Sequence, residues 1–205
     1  MKTKRIAALA LALLCAVPMM TACGKGTAER PTIAETDMPY GSTMREDKNS
    51  FALPVTYDRR FLEQDEIAKA ADLFAAIQNS DAALYANTTF PFYLTYQQQQ
   101  VYKLDSPEAL VKHLHSLIAG KYADDFQYSM MNITGIATNP NAGTLGSVVE
   151  MLEVSYDGDG KFLDTVQKSC DMTVEWHITY DGKTEVVPDQ HVFVFQTADG
   201  WFAVV

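Results

Sequence analysis

The stretch Met172–Tyr180 reads M-T-V-E-W-H-I-T-Y, and Asp181-Gly182 follows it directly. Large apolar side chains occupy every second position of this stretch, and Thr, Glu, His and Thr stand between them. A period of two predicts a β-strand with one apolar and one polar face. The Asp-Gly pair predicts a tight hairpin, because both turn positions need a positive φ. An antiparallel sheet is therefore expected around this strand.

The same alternation continues on both sides of this strand. Strands are expected at residues 148–156, 162–180, 184–197 and 201–205, and the turns between them at residues 157–160, 181–182 and 199–200. Each of these turns contains Asp-Gly, which favours hairpins. Two of the strands are too long to stay flat, so irregularities are expected at Lys168-Ser169 and at Pro188, which lacks a backbone donor. Such a meander curls into a concave sheet.

Two helices are predicted before the meander. Between Phe61 and Asn79, apolar residues recur at every third or fourth position. The second helix begins at Ser106-Pro107-Glu108, a capping hydroxyl followed by a proline and an acid, and ends at Gly120. Short strands are expected at residues 92–96 and 126–130. The predicted class is α+β, with a strongly curved antiparallel sheet packed on two or three helices.

The start of the chain has the pattern of a secretory signal. Three basic residues lie within the first five positions, and Ile6–Met20 is an apolar run of about fifteen residues, too short to span a bilayer. Its end, Met20-Thr21-Ala22-Cys23, resembles the lipobox of bacterial lipoproteins. That resemblance implies cleavage before Cys23 and lipidation of its thiol. Cys15 is a poor competitor, because a bulky Leu14 precedes it and the apolar run continues beyond it.

These features divide the chain into a signal peptide (residues 1–22), the lipidated cysteine with a flexible tether (23–60) and one domain (61–205). The tether is predicted from its Gly, Pro, Thr, Glu, Asp and Lys content and its lack of a regular period. Within it, Phe51, Leu53, Val55 and Tyr57 alternate with other residues, which predicts a short strand docked on the domain. The expected location is extracytoplasmic, on the membrane that holds the anchor.

Charge excludes one class of partner. Without residues 1–22 the chain has 13 basic and 26 acidic residues, a formal charge of −13. Such a chain is repelled by the phosphates of nucleic acids and anionic lipids, so no nucleic-acid partner is expected and membrane attachment must come from the lipid. A single acyl chain holds weakly, whereas the two or three chains of a bacterial lipoprotein hold durably.

No cofactor or metal motif is present in the sequence. Cys170 shares a strand face with Met172 and Trp176, so we expect a buried small hydrophobe and no disulfide. The stretch 157–160 looks like the start of a calcium loop, but the twelfth position is Lys168, where a bidentate acid is needed. It is interpreted as a turn.

The histidines are weak catalytic candidates. His113 and His115 lie on one helix, where their side chains diverge by about 200° and cannot share a metal. His177 neighbours Glu175 on the polar face of its strand, where a solvated contact is expected. His191 shares the face of Trp176 if the hairpin carries no bulge, and Pro188 leaves this register open. Each of His113, His177 and His191 has a packing interpretation beside the catalytic one.

Tyrosines are dense in the middle of the chain, and their apolar rings with polar tips suit both pocket walls and core packing. Ligand binding in a shared pocket is hypothesised for Tyr96, Tyr128 and Trp176.

The order of elements over residues 61–205, closing with Asp199-Gly200-Trp201, resembles the NTF2-like (cystatin-like) fold. In that family a curved sheet and helices form a cone with a pocket at its open end. Some members are pocket enzymes with an Asp base or a His and Asp pair, and others are noncatalytic binding or spacer modules. No motif in this sequence transfers the enzymes' roles to particular residues.

The expected function is a noncatalytic ligand-binding or protein-interaction module, held outside the cell membrane by its lipid. Its partner would be a small apolar ligand, a cell-wall fragment or an envelope protein. The alternatives are a pocket enzyme of the isomerase, dehydratase or hydrolase type and a structural spacer or homodimerisation unit.

Overall fold

Six strands form one sheet, in the order in which they occur in the chain. The computed structural model describes residues 34–205, so the predicted signal peptide, the lipobox and Cys23 lie outside the described residues. A compact unit covers Met38–Val205, and residues 34–37 before it contain a 3-10 turn at Glu35–Asp37. The strands are β1 Met44–Asp47, β2 Val55–Asp58, β3 Gln127–Ala137, β4 Lys168–Tyr180, β5 Lys183–Thr197 and β6 Gly200–Val204.

The described helices surround this sheet. They are α1 Gln64–Asn79, α2 Ala82–Thr88, α3 Pro91–Tyr96, α4 Pro107–Ala119, α5 Gly143–Ser155 and α6 Phe162–Thr165, and a π-helical turn at Gln97–Val101 follows α3. The predicted α+β class is confirmed. The sheet is mixed rather than wholly antiparallel, because β2 and β3 run parallel while all other neighbouring strands are antiparallel. The sheet is not closed.

Two strands come from the stretch that was predicted to be a tether. β1 and β2 pair with each other, and β2 pairs with β3, so the compact unit begins at Met38 and not at residue 61. The short strand predicted from the alternation of Phe51 to Tyr57 is confirmed in β2. A strand as short as β2 is stabilised by pairing with other strands, and composition does not reveal that pairing. The tether predicted from composition is therefore too long.

A buried ion pair holds the start of the compact unit in place. Asp58 is fully buried and accepts hydrogen bonds from Arg60 Nη2 at 2.7 Å and Thr43 Oγ1 at 2.6 Å. Arg60 also donates to the backbone carbonyls of Met38 and Pro39. The Arg60 guanidinium holds the pKa of Asp58 well below its usual range. Residues 38–43 are thereby tied to the end of β2.

Both predicted helices form. α1 begins three residues later than expected, with a reciprocal capping box between Glu63 and Glu66, and ends at Ser80 in the left-handed conformation. α4 begins as predicted: the Ser106 hydroxyl accepts from the Ala109 amide at 3.2 Å, and Pro107 occupies the first helical position.

Two predicted strands are helices instead. Residues 92–96 lie in α3, and residues 148–155 lie in α5. The buried residues of α5 are Leu145, Val149 and Leu152, spaced by four and three, which is a helical period. Leu145 lies before the stretch 148–156 that was predicted to be a strand. The apolar run within that stretch fits a strand as well as a helix. The strand predicted from residue 162 begins at Lys168, after α6.

The sheet has a core on both faces at one end. On the first face, which we call inner, β4 and β5 place Met172, Trp176 and Val194 against α1, α2 and α4. On the opposite, outer face, Phe193 and Phe195 of β5 pack against α5 and α6. β5 is therefore buried on both sides near β6, whereas the outer face of β4 becomes partly exposed from Thr173 onward.

A β-bulge lies at Pro188, as the sequence predicted. Trp176 pairs with Val187 while Val174 pairs with Gln190, so two residues of β5 stand opposite one residue of β4. The extra residue reverses the alternation of β5, and Val187 before the bulge and Val192 after it both contact the inner core. Asp189, within the bulge, has a φ of 55°. The bulge therefore keeps the apolar residues on both sides of it, Val187 and Val192, on the inner face of β5.

The left-handed backbone at Asp189 can be tested by substitution. We expect Asp189→Gly to keep or raise the free energy of unfolding and Asp189→Val to lower it by about 1–2 kcal/mol, because a β-branched residue is disfavoured at positive φ. Urea denaturation of both variants measures the difference. Gln190→Val, at the exposed neighbouring position, is the matched control and should change stability little. Equal stability of the Gly and Val variants would contradict this assignment.

Candidate functional site

Two of the three predicted pocket residues meet in the inner core. The rings of Tyr128 and Trp176 lie 4.7 Å apart, and Phe74 of α1 contacts them at 5.2 and 4.2 Å. Tyr128 is 5% exposed and Trp176 3%. Tyr96 is half-buried and packs against the outer core instead. The structure thus brings together Tyr128 and Trp176, whose rings fill space between α1 and the sheet, without Tyr96.

A buried tyrosine network escaped sequence analysis. Tyr85 donates its hydroxyl hydrogen to Gln97 Oε1 at 2.8 Å, and Tyr93 donates to the backbone carbonyl of Val205 at 3.0 Å. Burial raises the pKa of Tyr93 to about 12 and that of Tyr85 further, so both phenols are neutral donors at pH 7. The π-helical turn begins at Gln97. Only the density of tyrosines signalled this network in the sequence.

The two histidines of α4 are in packing positions. The ring of His113 meets Tyr102 edge-on at 4.9 Å, and His115 Nδ1 donates to the carbonyl of Ile77 at 3.2 Å. His115 also lies 5.0 Å from the ring of Phe126. The two imidazoles have separate partners, as their angular separation on the helix predicts.

Glu175 and His177 are neighbours on the outer face, as predicted. The Glu175 Oε1 atom lies 3.2 Å from His177 Nε2 and accepts a hydrogen bond from Asn132 Nδ2 at 3.2 Å. The bonds from Asn132 and then His177 lower the pKa of Glu175. Both side chains are about a third exposed, at 31% and 34%. This is a solvated contact between β3 and β4, of the kind that contributes little to stability.

A second acid–imidazole pair lies on the same face, with a buried acid. His191 Nδ1 lies 2.7 Å from Asp171 Oδ1, and the hydroxyl of Thr144 donates to Asp171 Oδ2. Asp171 is 4% exposed. Sequence analysis missed the pair because the bulge moves His191 off the Trp176 face, and because no helix was predicted at Thr144.

A third buried acid lies under the inner face. The side chain of Glu66 is 1% exposed, and its Oε1 has no hydrogen-bond partner among the described residues. Its Oε2 accepts from the Glu63 amide at 3.2 Å and lies 3.9 Å from Lys168 Nζ. Burial raises the pKa of Glu66. Nearby Cys170 is buried as predicted, and burial raises the pKa of its thiol, which favours the neutral form.

A cleft of about 530 Å³ lies where the loop after β3 faces the connection between α6 and β4. Thr138 and Pro140 form one side, and Leu163, Val166 and Lys168 form the other. Its lining offers one ammonium group, which already binds Glu63 Oε1 at 2.7 Å. The surface of the cleft is mostly apolar. The ammonium group of Lys168 is already paired with Glu63.

A metal-binding cluster and a membrane-spanning helix are both absent from the described residues 34–205. Within them, no three His, Cys, Asp or Glu side chains are grouped so that they could hold a metal ion. Within the same range, no helix has both the length and the apolar composition needed to cross a bilayer. Comparison with protein-family models, with curated proteins and with solved structures finds no significant match to this chain.

Glu66 makes stability depend on pH. Because its pKa is higher in the folded than in the unfolded chain, its contribution to stability is present at low pH and is lost as pH rises through the folded-state pKa. Glu66→Gln removes the ionisation and keeps an acceptor for the Glu63 amide. We therefore expect the stability of this variant, relative to the wild type, to increase between pH 4 and pH 8.

Urea denaturation at several pH values measures this effect. Glu150→Gln, an exposed position of α5, is the control and should follow the wild type at each pH. A constant difference between Glu66→Gln and the wild type across the range would contradict a buried, proton-binding Glu66.

Proposed function

We propose that this chain is a bacterial lipoprotein, anchored through Cys23 on the outside of the cell membrane. The observation that carries the proposal is the stretch Met20-Thr21-Ala22-Cys23 at the end of an apolar run with a basic start. The run has the length of a secretory signal and ends in two small residues before the cysteine. The acidic charge of the remaining chain supports attachment by lipid rather than by a basic surface.

We also propose that the domain is NTF2-like and that its inner face serves as a noncatalytic ligand-binding or protein-interaction module. The helices α1 and α4 packed on one face of the β3–β6 meander support this fold. The parallel β2–β3 pair and the helices on the outer face are additions to the expected pattern. The rings of Tyr128 and Trp176 fill the inner core between them, so the proposed ligand would bind at the rim of that core.

A structural spacer or dimerisation unit is the second candidate. One observation favours it: residues 183–192 of β5 pair with β4 on one side, whereas β6 pairs only from Phe193 onward. Such an open edge accepts another strand. Lys183 and the bulge at Pro188 restrict that pairing to a short stretch.

Chain length limits the reach of the anchored domain. Fourteen residues separate Cys23 from Met38, where the compact unit begins. Fully extended, they span at most about 50 Å. A partner of the domain would therefore lie close to the membrane, as a membrane-bound molecule or a wall fragment near the bilayer does.

The anchor is tested by replacing each cysteine of the leader in the full-length chain. In a bacterial host supplied with a labelled fatty acid, Cys23→Ser is expected to abolish labelling and to leave the chain uncleaved, because the thiol is the acceptor. Cys15→Ser is the matched control and should be labelled like the wild type. Labelling of the Cys23→Ser chain would overturn the proposal.

The binding role is tested by thermal unfolding of the soluble chain from Gly24 to Val205. The panel contains peptidoglycan fragments, peptides, sugars, lipids and sterols. A ligand at a hundred times its Kd adds about 2.7 kcal/mol, which raises the Tm by about 5–10 °C at this size. The binding module predicts a shift with one class and no change on dilution. A Tm that falls on dilution and responds to no ligand would favour the dimerisation unit and argue against a cone with a pocket.

A further inference from the structure

Asp171 and His191 form the one acid–imidazole pair in the described chain in which the acid is buried and the ring reaches solvent. The Asp171 side chain is 5% exposed and that of His191 36%. Two donors from different elements hold the carboxylate: His191 of β5 at 2.7 Å and Thr144 of α5. The other acid–histidine pair of this face, Glu175 with His177, is open to water on both sides. Asp171 is therefore the better-fixed acid.

The bulge aims His191 at this acid. Tyr180 pairs with Lys183, and continuing that register without a bulge would place His191 opposite Met172, on the inner face. The extra residue at 188–189 shifts it to a position opposite Thr173, diagonal to Asp171 on the outer face. Bulges of this kind re-aim side chains and often lie beside active sites, and Asp189 holds a left-handed backbone to form this one.

The pair defines the state of the imidazole ring. A carboxylate only accepts hydrogen bonds, so His191 Nδ1 carries the hydrogen and donates it to Asp171. In the neutral ring, Nε2 then has a free lone pair and can accept a proton. Its ring also stacks on Phe193, with 11° between the two planes and 6.0 Å between centroids. A base whose orientation is set by a buried acid is one part of a hydrolytic site.

The residues around His191 and the charge of the chain limit the proton donor and the class of substrate. Among residues 34–205, no Ser, Thr or Cys side chain makes a hydrogen bond to His191, which favours water over a side-chain nucleophile as the proton donor. The chain carries a formal charge of −10, which disfavours phosphate esters and other polyanions. A neutral carboxylic ester has no such penalty.

We propose that His191 is the general base of an ester-hydrolysing site on the outer face, with Asp171 as its positioning residue. Nε2 takes a proton from water as the water oxygen forms a bond to the ester carbonyl carbon. The bond from that carbon to the alcohol oxygen then breaks, and the proton on Nε2 passes to the leaving oxygen. The products are a carboxylic acid and an alcohol, and water is the only co-reactant. Neither the anchor nor an inner-face ligand enters this step.

The test uses the full-length chain in detergent with p-nitrophenyl acetate as the probe, and it follows release of p-nitrophenolate. His191→Gln removes the base, and because the ring is partly exposed, the fold should survive, as the Tm will show. General-base catalysis by a side chain typically contributes a factor of about 100 or more, so a loss of at least roughly tenfold is expected. His177 is the other outer-face histidine that is about a third exposed, so His177→Gln is the matched control and should retain the wild-type rate.

Asp171→Asn distinguishes a positioning role of Asp171 from a merely structural one. It removes the charge that fixes the Nδ1–H tautomer of His191, so we expect kcat to fall while KM stays the same. In the wild type we expect a normal solvent isotope effect on the rate. A wild-type rate no higher than that of His191→Gln, or equal losses in His191→Gln and His177→Gln, would overturn the proposal. An acetyl group trapped on His191 would also overturn it, since the histidine would then be a nucleophile. Loss of fatty-acid labelling leaves these outcomes unaffected.

Discussion

Most of this structure depends on one packing constraint: β5 must turn Val187 and Val192, on either side of Pro188, toward the same inner core. Val187 and Val192 of β5 both contact the inner core, although they are five residues apart and would lie on opposite faces of a regular strand. The bulge at Pro188 removes that conflict. A strand without it would turn either Val187 or the pair Val192 and Val194 away from the inner core, and removing a fully buried aliphatic side chain of this size from a core costs about 1.5–3 kcal/mol. Several such side chains together outweigh the cost of one left-handed residue.

The bulge also determines what the outer face can do. It reverses the alternation of β5 at the point where α5 and α6 stop covering the sheet, so His191 lies at the boundary between a covered and an open surface. There it meets Asp171, which also accepts a hydrogen bond from Thr144 of α5. The arrangement that stabilises the inner core thus places a histidine next to a buried acid on the other side of the sheet.

Three of the four buried acids, Asp58, Glu66 and Asp171, are satisfied in different ways. Asp58 has a guanidinium partner and several neutral donors, so it remains ionised, and removal of its partner would leave a buried charge at a cost of about 3–5 kcal/mol. Glu66 has one backbone donor and a more distant ammonium, and burial raises its pKa. Asp171 has a hydroxyl and an imidazole as donors. Arg60 and Glu63 are near neighbours in sequence of the acids they contact, whereas Thr43, Lys168 and Thr144 come from distant parts of the chain.

The sequence by itself determined the elements whose signals are local and complete. α4 has its cap, proline and apolar face within fifteen residues, and the β4–β5 hairpin has an alternating pattern joined by Asp-Gly, so both were predictable, as was the burial of Cys170. Only the tertiary structure decided that residues 148–155 form a helix, because a short apolar run fits a strand as well, and that β2 runs parallel to β3, because parallel pairing has no local signal. The two acid–histidine pairs of the outer face differ in the same way. The contact of Glu175 with His177 could be predicted from spacing within one strand, whereas His191 reached Asp171 through a one-residue change of register, which alternation alone cannot locate.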